Sequence, residues 1–141
     1  EECQVTAFKN GRKLWDYTCR NDEPTELDGA AYVTTADNIV YVMDGFHLTA
    51  LDAENGQKLW QNTEYGFGES AHAFDRERKI LYVSGYYGPN LLGFDKSGKL
   101  VLNADDSEHY WPAIMMHNPE DNSLDLFYEG DMVTQRYHLG K

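Results

Sequence analysis

The feature that most constrains this chain is a short string that occurs twice. Asn10-Gly11-Arg12-Lys13-Leu14-Trp15 returns 45 residues later as Asn55-Gly56-Gln57-Lys58-Leu59-Trp60, and each copy follows a matching run, Val5-Thr6-Ala7-Phe8 and Leu48-Thr49-Ala50-Leu51. A weaker third copy, Gly93-Phe94-Asp95-Lys96-Ser97-Gly98-Lys99-Leu100, stands 42 residues after the second. Tyr137-His138-Leu139-Gly140-Lys141 begins a fourth at the same interval. Upstream, Val40-Tyr41-Val42 returns as Leu81-Tyr82-Val83. A period of about 40–45 residues belongs to repeat architectures, in which each unit buries its faces against its neighbours.

The residues between the repeats say what each unit holds. No window carries apolar residues at three- and four-residue spacing. Short runs rich in Val, Tyr, Ile, Phe and Thr instead alternate with turn clusters such as Asn10-Gly11, Asp44-Gly45, Asn55-Gly56 and Ser97-Gly98. The runs predict strands over 3–8, 13–18, 30–35, 39–43, 46–51, 57–61, 70–74, 79–84, 90–94, 99–103, 110–115, 123–128 and 132–139. Four short antiparallel strands at this period predict an all-β chain of β-propeller blades. The alternative is an ordinary sandwich or barrel whose hairpins resemble one another by chance.

Composition narrows the partners. Asp and Glu number 24 against 12 Lys and Arg, a formal charge of −12, so the field repels nucleic-acid phosphates and anionic membrane surfaces. Hydrophobic residues at 41% and aromatics at 13% supply the apolar area that an acidic disordered tail lacks. No apolar run is long enough to span a membrane, and no leader-like stretch opens the sequence.

The stretch from Val40-Tyr41-Val42-Met43-Asp44-Gly45 through Ala50-Leu51-Asp52-Ala53-Glu54-Asn55-Gly56-Gln57-Lys58-Leu59-Trp60 resembles the repeat of the PQQ-like, quinoprotein-type β-propellers. In that repeat a strand and Gly turn lead to a strand ending Ala-Leu-Asp, then a turn closing on Gly and a short strand ending in Trp. The first unit keeps Ala7, Gly11 and Trp15 with a shorter turn; the third has Gly93 at the Ala position and Leu102 at the Trp position. The resemblance implies one propeller segment over 1–141, divided as an outer hairpin (1–19), a second blade (29–62), a third (69–104) and most of a fourth (109–141). It also implies that Trp15 and Trp60 are structural, each lying beside a small residue and docking on the next blade.

Placing the apolar residues of the first hairpin on one face sets Ala7 opposite Trp15, Val5 opposite Tyr17 and Cys3 opposite Cys19. That register permits a Cys3–Cys19 bridge, which would indicate an oxidising, extracytoplasmic compartment; a reduced pair in a cytosolic protein is the alternative. Closed propellers carry four to eight blades, roughly 170 to 340 residues at this period. The 141 residues are therefore expected to be an arc, completed by further polypeptide or by other copies.

The chemistry is sparse. His47, His72, His109, His117 and His138 show no metal-ligand spacing, and no phosphate loop or nucleophile elbow is present. Propeller geometry brings the starts of inner strands to the channel mouth, which nominates Glu69, His72, Tyr110 and Trp111 as ligand-binding residues. The competing reading makes Tyr110 and Trp111 core residues and His72 a satisfied buried histidine. Quinoprotein dehydrogenases of the resembled family bind PQQ and calcium. This sequence shows neither the adjacent cysteine pair several of them use nor an acidic calcium cluster, so no cofactor or metal is expected. The reading is a non-catalytic module binding a protein or glycan. The alternatives are a fragment of a PQQ-dependent oxidoreductase and a structural unit that assembles rings from several copies.

Overall fold

The computed structural model describes residues 3–19, 32–45, 47–67, 71–85, 91–104 and 112–140. Among these it is all-β, with thirteen strands in four antiparallel groups. The chain divides into two compact units, Glu1–Glu69 and Ser70–Lys141.

The first unit holds a hairpin of β1 (Cys3–Lys9) and β2 (Arg12–Cys19). Beside it lies a four-stranded meander of β3 (Tyr32–Ala36), β4 (Ile39–Met43), β5 (Leu48–Asp52) and β6 (Lys58–Asn62). Two-residue loops close β1–β2 and β3–β4. Asn10 and Gly11 have φ of 51° and 76°, and Asp37 and Asn38 have 52° and 61°, the left-handed pair that matches strand twist in a tight hairpin. One face of the hairpin, with Trp15, Cys19, Val5, Ala7 and Tyr17, packs on Val40, Val42, Leu51 and Ala53 of the meander. Trp15 is the centre of that contact: its indole N–H donates to the Ala53 carbonyl at 3.0 Å. Its ring also lies where a Cβ on Gly56 would stand, 2.6 Å away, so the turn glycine doubles as a cradle for the indole.

The second unit holds a sheet of β7 (His72–Asp75), β8 (Ile80–Val83), β9 (Leu91–Phe94) and β10 (Leu100–Ala104). Its other sheet comprises β11 (Ile114–Asn118), β12 (Ser123–Tyr128) and β13 (Val133–His138). One face of each sheet supplies the shared core: Ala71, Ala73, Tyr82 and Leu91 from the first, Met115, Leu124, Leu126 and Tyr128 from the second. Gly93 sits in the middle, where a Cβ would come within 3.0 Å of Leu102 and 3.1 Å of the Tyr82 ring. A side chain at this position of the third repeat would therefore press on both Leu102 and Tyr82.

The first hairpin has the expected pairs Cys3–Cys19, Val5–Tyr17 and Ala7–Trp15, and beyond them the register shifts, because Phe8 pairs with Lys13 and leaves Leu14 as a bulge. The same step occurs at Leu59, between the pairs Ala50–Trp60 and Leu51–Lys58, and at Val101, between Gly93–Leu102 and Phe94–Leu100. In the first hairpin the bulge restores a two-residue Asn-Gly turn that an unbroken register would not allow. The fourth repeat is also displaced by one residue. The β7–β8 and β11–β12 turns both hold four residues and end in a left-handed residue, Lys79 (φ 60°) and Asn122 (φ 50°). Aligning them sets Tyr137 with Phe94, and Arg136, not Gln135, with Gly93. A one-residue slip exchanges the two faces of a strand, so the turn, not the faint sequence match, decides which side chains are buried.

Candidate functional site

Four residues were expected to converge at the ends of inner strands. Of these, His72 is half-buried at the start of β7, paired with Val83. It alternates with Ala73 and so points away from the core that Ala73 joins. Glu69, Tyr110 and Trp111 lie outside the described residues, as does the 86–89 aromatic loop. The strand expected over 110–115 begins at Ile114 and runs on through His117 to Asn118, where Pro119 favours an extended preceding residue.

The polar residues that do come together lie at the opposite ends of β7 and β11. Asp75, only 1% exposed, accepts the backbone N–H groups of Glu77 and Arg78 at 2.9 Å each, and the Arg78 guanidinium at 3.2 Å. His117 reaches it from the other sheet, with Nε2 3.5 Å from the Asp75 carboxylate and 3.1 Å from the Asn122 side-chain oxygen. The Asn122 amide in turn donates to the Gly140 carbonyl at 2.8 Å, and the His117 ring stacks on Tyr82. Burial pushes the Asp75 carboxyl up. The Arg78 backbone N–H and guanidinium, the His117 ring and the Glu77 N–H outweigh it and hold the carboxyl below the usual range. Burial, reinforced by the Asp75 charge, pushes the Tyr82 phenol up to about 12. This cluster closes a seam between two sheets: its carboxylate and amide groups are committed to fixed partners.

Sequence reasoning missed this cluster. His117 and Asp75 stand 42 residues apart with no motif spacing. The available signal was an aspartate at the end of a strand or just after it: Asp52, Asp75 and Asp95 each accept the N–H two residues on, at 2.8, 2.9 and 2.9 Å.

The sheet β11–β13 presents its other face outward. Ile114 (54% exposed) and Met116 (59%) stand on it beside half-buried Phe127. Asp125 and Arg136 form a bidentate pair there at 2.8 and 3.0 Å. The Arg136 hydrogen bond holds the Asp125 carboxyl below its ordinary value, and the same bond raises the arginine. Among the described residues no three His, Cys, Asp or Glu are grouped to hold a metal ion, and no helix is long and apolar enough to cross a membrane. The carboxylates of Asp52, Asp75, Asp95 and Asp125 are engaged by backbone N–H groups or cations.

No family model matches the sequence, and no curated protein does. Solved structures do resemble the fold. A crystal structure of a mitotic checkpoint complex aligns with a TM-score of 0.68 at 10% identity, over 94% of this chain and 41% of that one. Dihydro-heme d1 dehydrogenase NirN, in complex with DHE, aligns at 0.59 and 14% over 91% and 31%. BamB from Moraxella catarrhalis aligns at 0.54 and 17% over 93% and 44%. The chain thus spans less than half the length of each of these chains. The likeness defines an all-β chain of β-propeller type, and at these identities it defines nothing finer.

Proposed function

We propose that this chain is a segment of a PQQ-like propeller, its blades falling at 1–19, 29–62, 69–104 and 109–141, that serves as a non-catalytic binding or scaffold module for a protein or glycan. The observation that carries the reading is the division of labour in the second unit. The buried polar side chains Asp75, His117 and Asn122 hold two sheets together, while Ile114, Met116 and Phe127 stand on an outward face. Apolar exposure of that kind favours a protein partner. Glu69, His72, Tyr110 and Trp111 are the proposed ligand contacts near the starts of the inner strands, with Trp15 and Trp60 as docking residues of the blades.

In this reading PQQ and calcium are not cofactors, and the protein works outside the cytoplasm with Cys3 and Cys19 bridged. Supporting the bridge, the two residues are directly opposed, Cys19 is buried, and among the described residues no cysteine is free. Alkylation without reductant is expected to leave the mass unchanged; two modified thiols would remove both the bridge and the argument for compartment.

Labelled protein on peptide and glycan arrays is expected to be retained, with Met116→Asp lowering retention about tenfold at an unchanged melting midpoint. Equal retention of the variant would sink this face as the contact. Incubation with PQQ and calcium is expected to give no stoichiometric quinone absorbance. Its appearance would move the chain to the oxidoreductase reading.

A further inference from the structure

The two Asn-Gly turns of the repeat are alike in sequence and different in structure. At Asn55 the side-chain oxygen accepts the Gln57 N–H at 2.9 Å, the Gly56 N–H donates to the Asp52 carbonyl at 2.8 Å, and the Trp15 indole lies against Gly56. Side chain and glycine nitrogen are both held. At the first turn Asn10 and Gly11 are exposed, the space around Gly11 is open, and among the described residues no hydrogen bond engages the Asn10 side chain or the Gly11 N–H. The rung that closes this turn is also weak. Lys9 and Arg12 stand directly opposite one another, both exposed, and among the described residues neither has a carboxylate partner, whereas Lys13 is held by Asp16 at 2.7 Å. Like charges facing each other across a hairpin destabilise it. The corresponding positions of the meander hold Asp52 and Gln57, joined by a backbone bond with no such conflict.

We propose that Asn10 is a site of self-modification, at which the hairpin tip converts its own amide to aspartate and isoaspartate while Asn55 stays intact. The Gly11 nitrogen bonds to the Asn10 side-chain carbonyl carbon, the bond from that carbon to the amide nitrogen breaks, and ammonia leaves with the proton that Gly11 gives up. The product is a five-membered cyclic imide. Water then opens the ring at either carbonyl, giving aspartate in one case and, in the other, isoaspartate with the backbone routed through the side chain; no oxidant or reductant takes part. Glycine permits the attack because no side chain shields its nitrogen. The cation pair favours it twice. Its repulsion opens the last rung so that nitrogen and side chain can meet, and its field favours the ionised nitrogen and the oxyanion formed on attack. The new carboxylate stands between Lys9 and Arg12 in the chain and relieves their conflict. The inference rests on the turn and is independent of the binding reading above.

The test is incubation of the whole folded chain in mildly alkaline buffer, with peptide mapping by mass spectrometry at intervals. Two hydrogen bonds must break at Asn55 before it can react, so conversion at Asn10 is expected to be about tenfold faster or more. In concentrated urea, where neither turn is formed, the two sites should convert at similar rates. Lys9→Glu, which sets opposite charges across the rung, should slow Asn10 about threefold in the folded chain while the melting midpoint holds or rises. Equal rates at the two sites in the folded chain would overturn the proposal. So would a difference that persists in urea, because local sequence would then account for it, or an Asn10 rate unchanged by Lys9→Glu. Conversion at neither site of the folded chain, over the time in which the chain in urea converts, would also overturn it, since the tip would then be held as firmly as the meander turn.

Discussion

At the scale of single residues, two glycines of the same sequence motif separate backbone from packing. Gly11 and Gly56 both have positive φ, 76° and 72°, but a Cβ on Gly11 meets nothing within 4 Å while one on Gly56 meets the Trp15 indole at 2.6 Å. Gly11→Ala is therefore expected to cost only the left-handed backbone penalty, about 1–2 kcal/mol, and Gly56→Ala a further ~1–3 kcal/mol of overpacking. Denaturant titration of the two variants reads the difference, and equal losses would mean that Trp15 yields freely. The Asn-Gly turns were legible from residue type; the cradle was not, because it joins residues 41 apart through a side chain. Asp75 carries the second prediction at this scale. Its folded carboxyl lies below the ordinary value of 3.8, so its ionised form stabilises the protein above that value, and the stabilisation is lost as pH falls through the lower folded value. Asp75→Asn should lower stability at neutral pH by about 1–3 kcal/mol and flatten the decline on acidification. Thermal melts from pH 6 to pH 2 test both halves, and a decline as steep as wild type would assign it to other carboxylates.

At the scale of the element, the bulge accounts for three large apolar residues at the surface. Leu14, Leu59 and Val101, exposed at 47%, 50% and 46%, are the three residues their hairpins leave unpaired. Alternation in sequence assigns each to a packed or open face; the bulge cancels that assignment, so the hairpins were legible and their surface was not. A bulge also twists an edge strand and blunts it against pairing with other chains. The triple variant Leu14→Lys, Leu59→Lys, Val101→Lys should stay within about 0.5 kcal/mol per site of wild type in chemical denaturation. A loss of several kcal/mol would show that these side chains are packed in solution. The fourth repeat marks the limit of sequence matching in the other direction. Glycines at a fixed interval suggested one register, whereas the four-residue turns ending at Lys79 and Asn122 impose another. Turn length is set by local backbone geometry and hydrogen bonding, which a string comparison does not see.

At the scale of the whole molecule, the repeat made the class of fold legible because a blade-sized unit has no stable alternative to packing against others like it. It did not reveal where cooperativity divides, which depends on which apolar clusters form. Each unit has its own: Trp15, Val40, Val42 and Leu51 in the first, and Tyr82, Met115, Leu124, Leu126 and Tyr128 in the second. Units that each bury a cluster of their own should respond locally to a lesion. Leu126 is buried at the centre of the second core, paired with Met115 on one side and Gln135 on the other. Leu126→Ala should cost about 2–5 kcal/mol, the range for a buried leucine whose cavity only partly collapses. Hydrogen exchange should then accelerate across β7 to β13, while the central strands β4 and β5, whose residues are almost entirely buried, keep most of their protection. Uniform acceleration across both units would instead show that the chain opens as a single cooperative body.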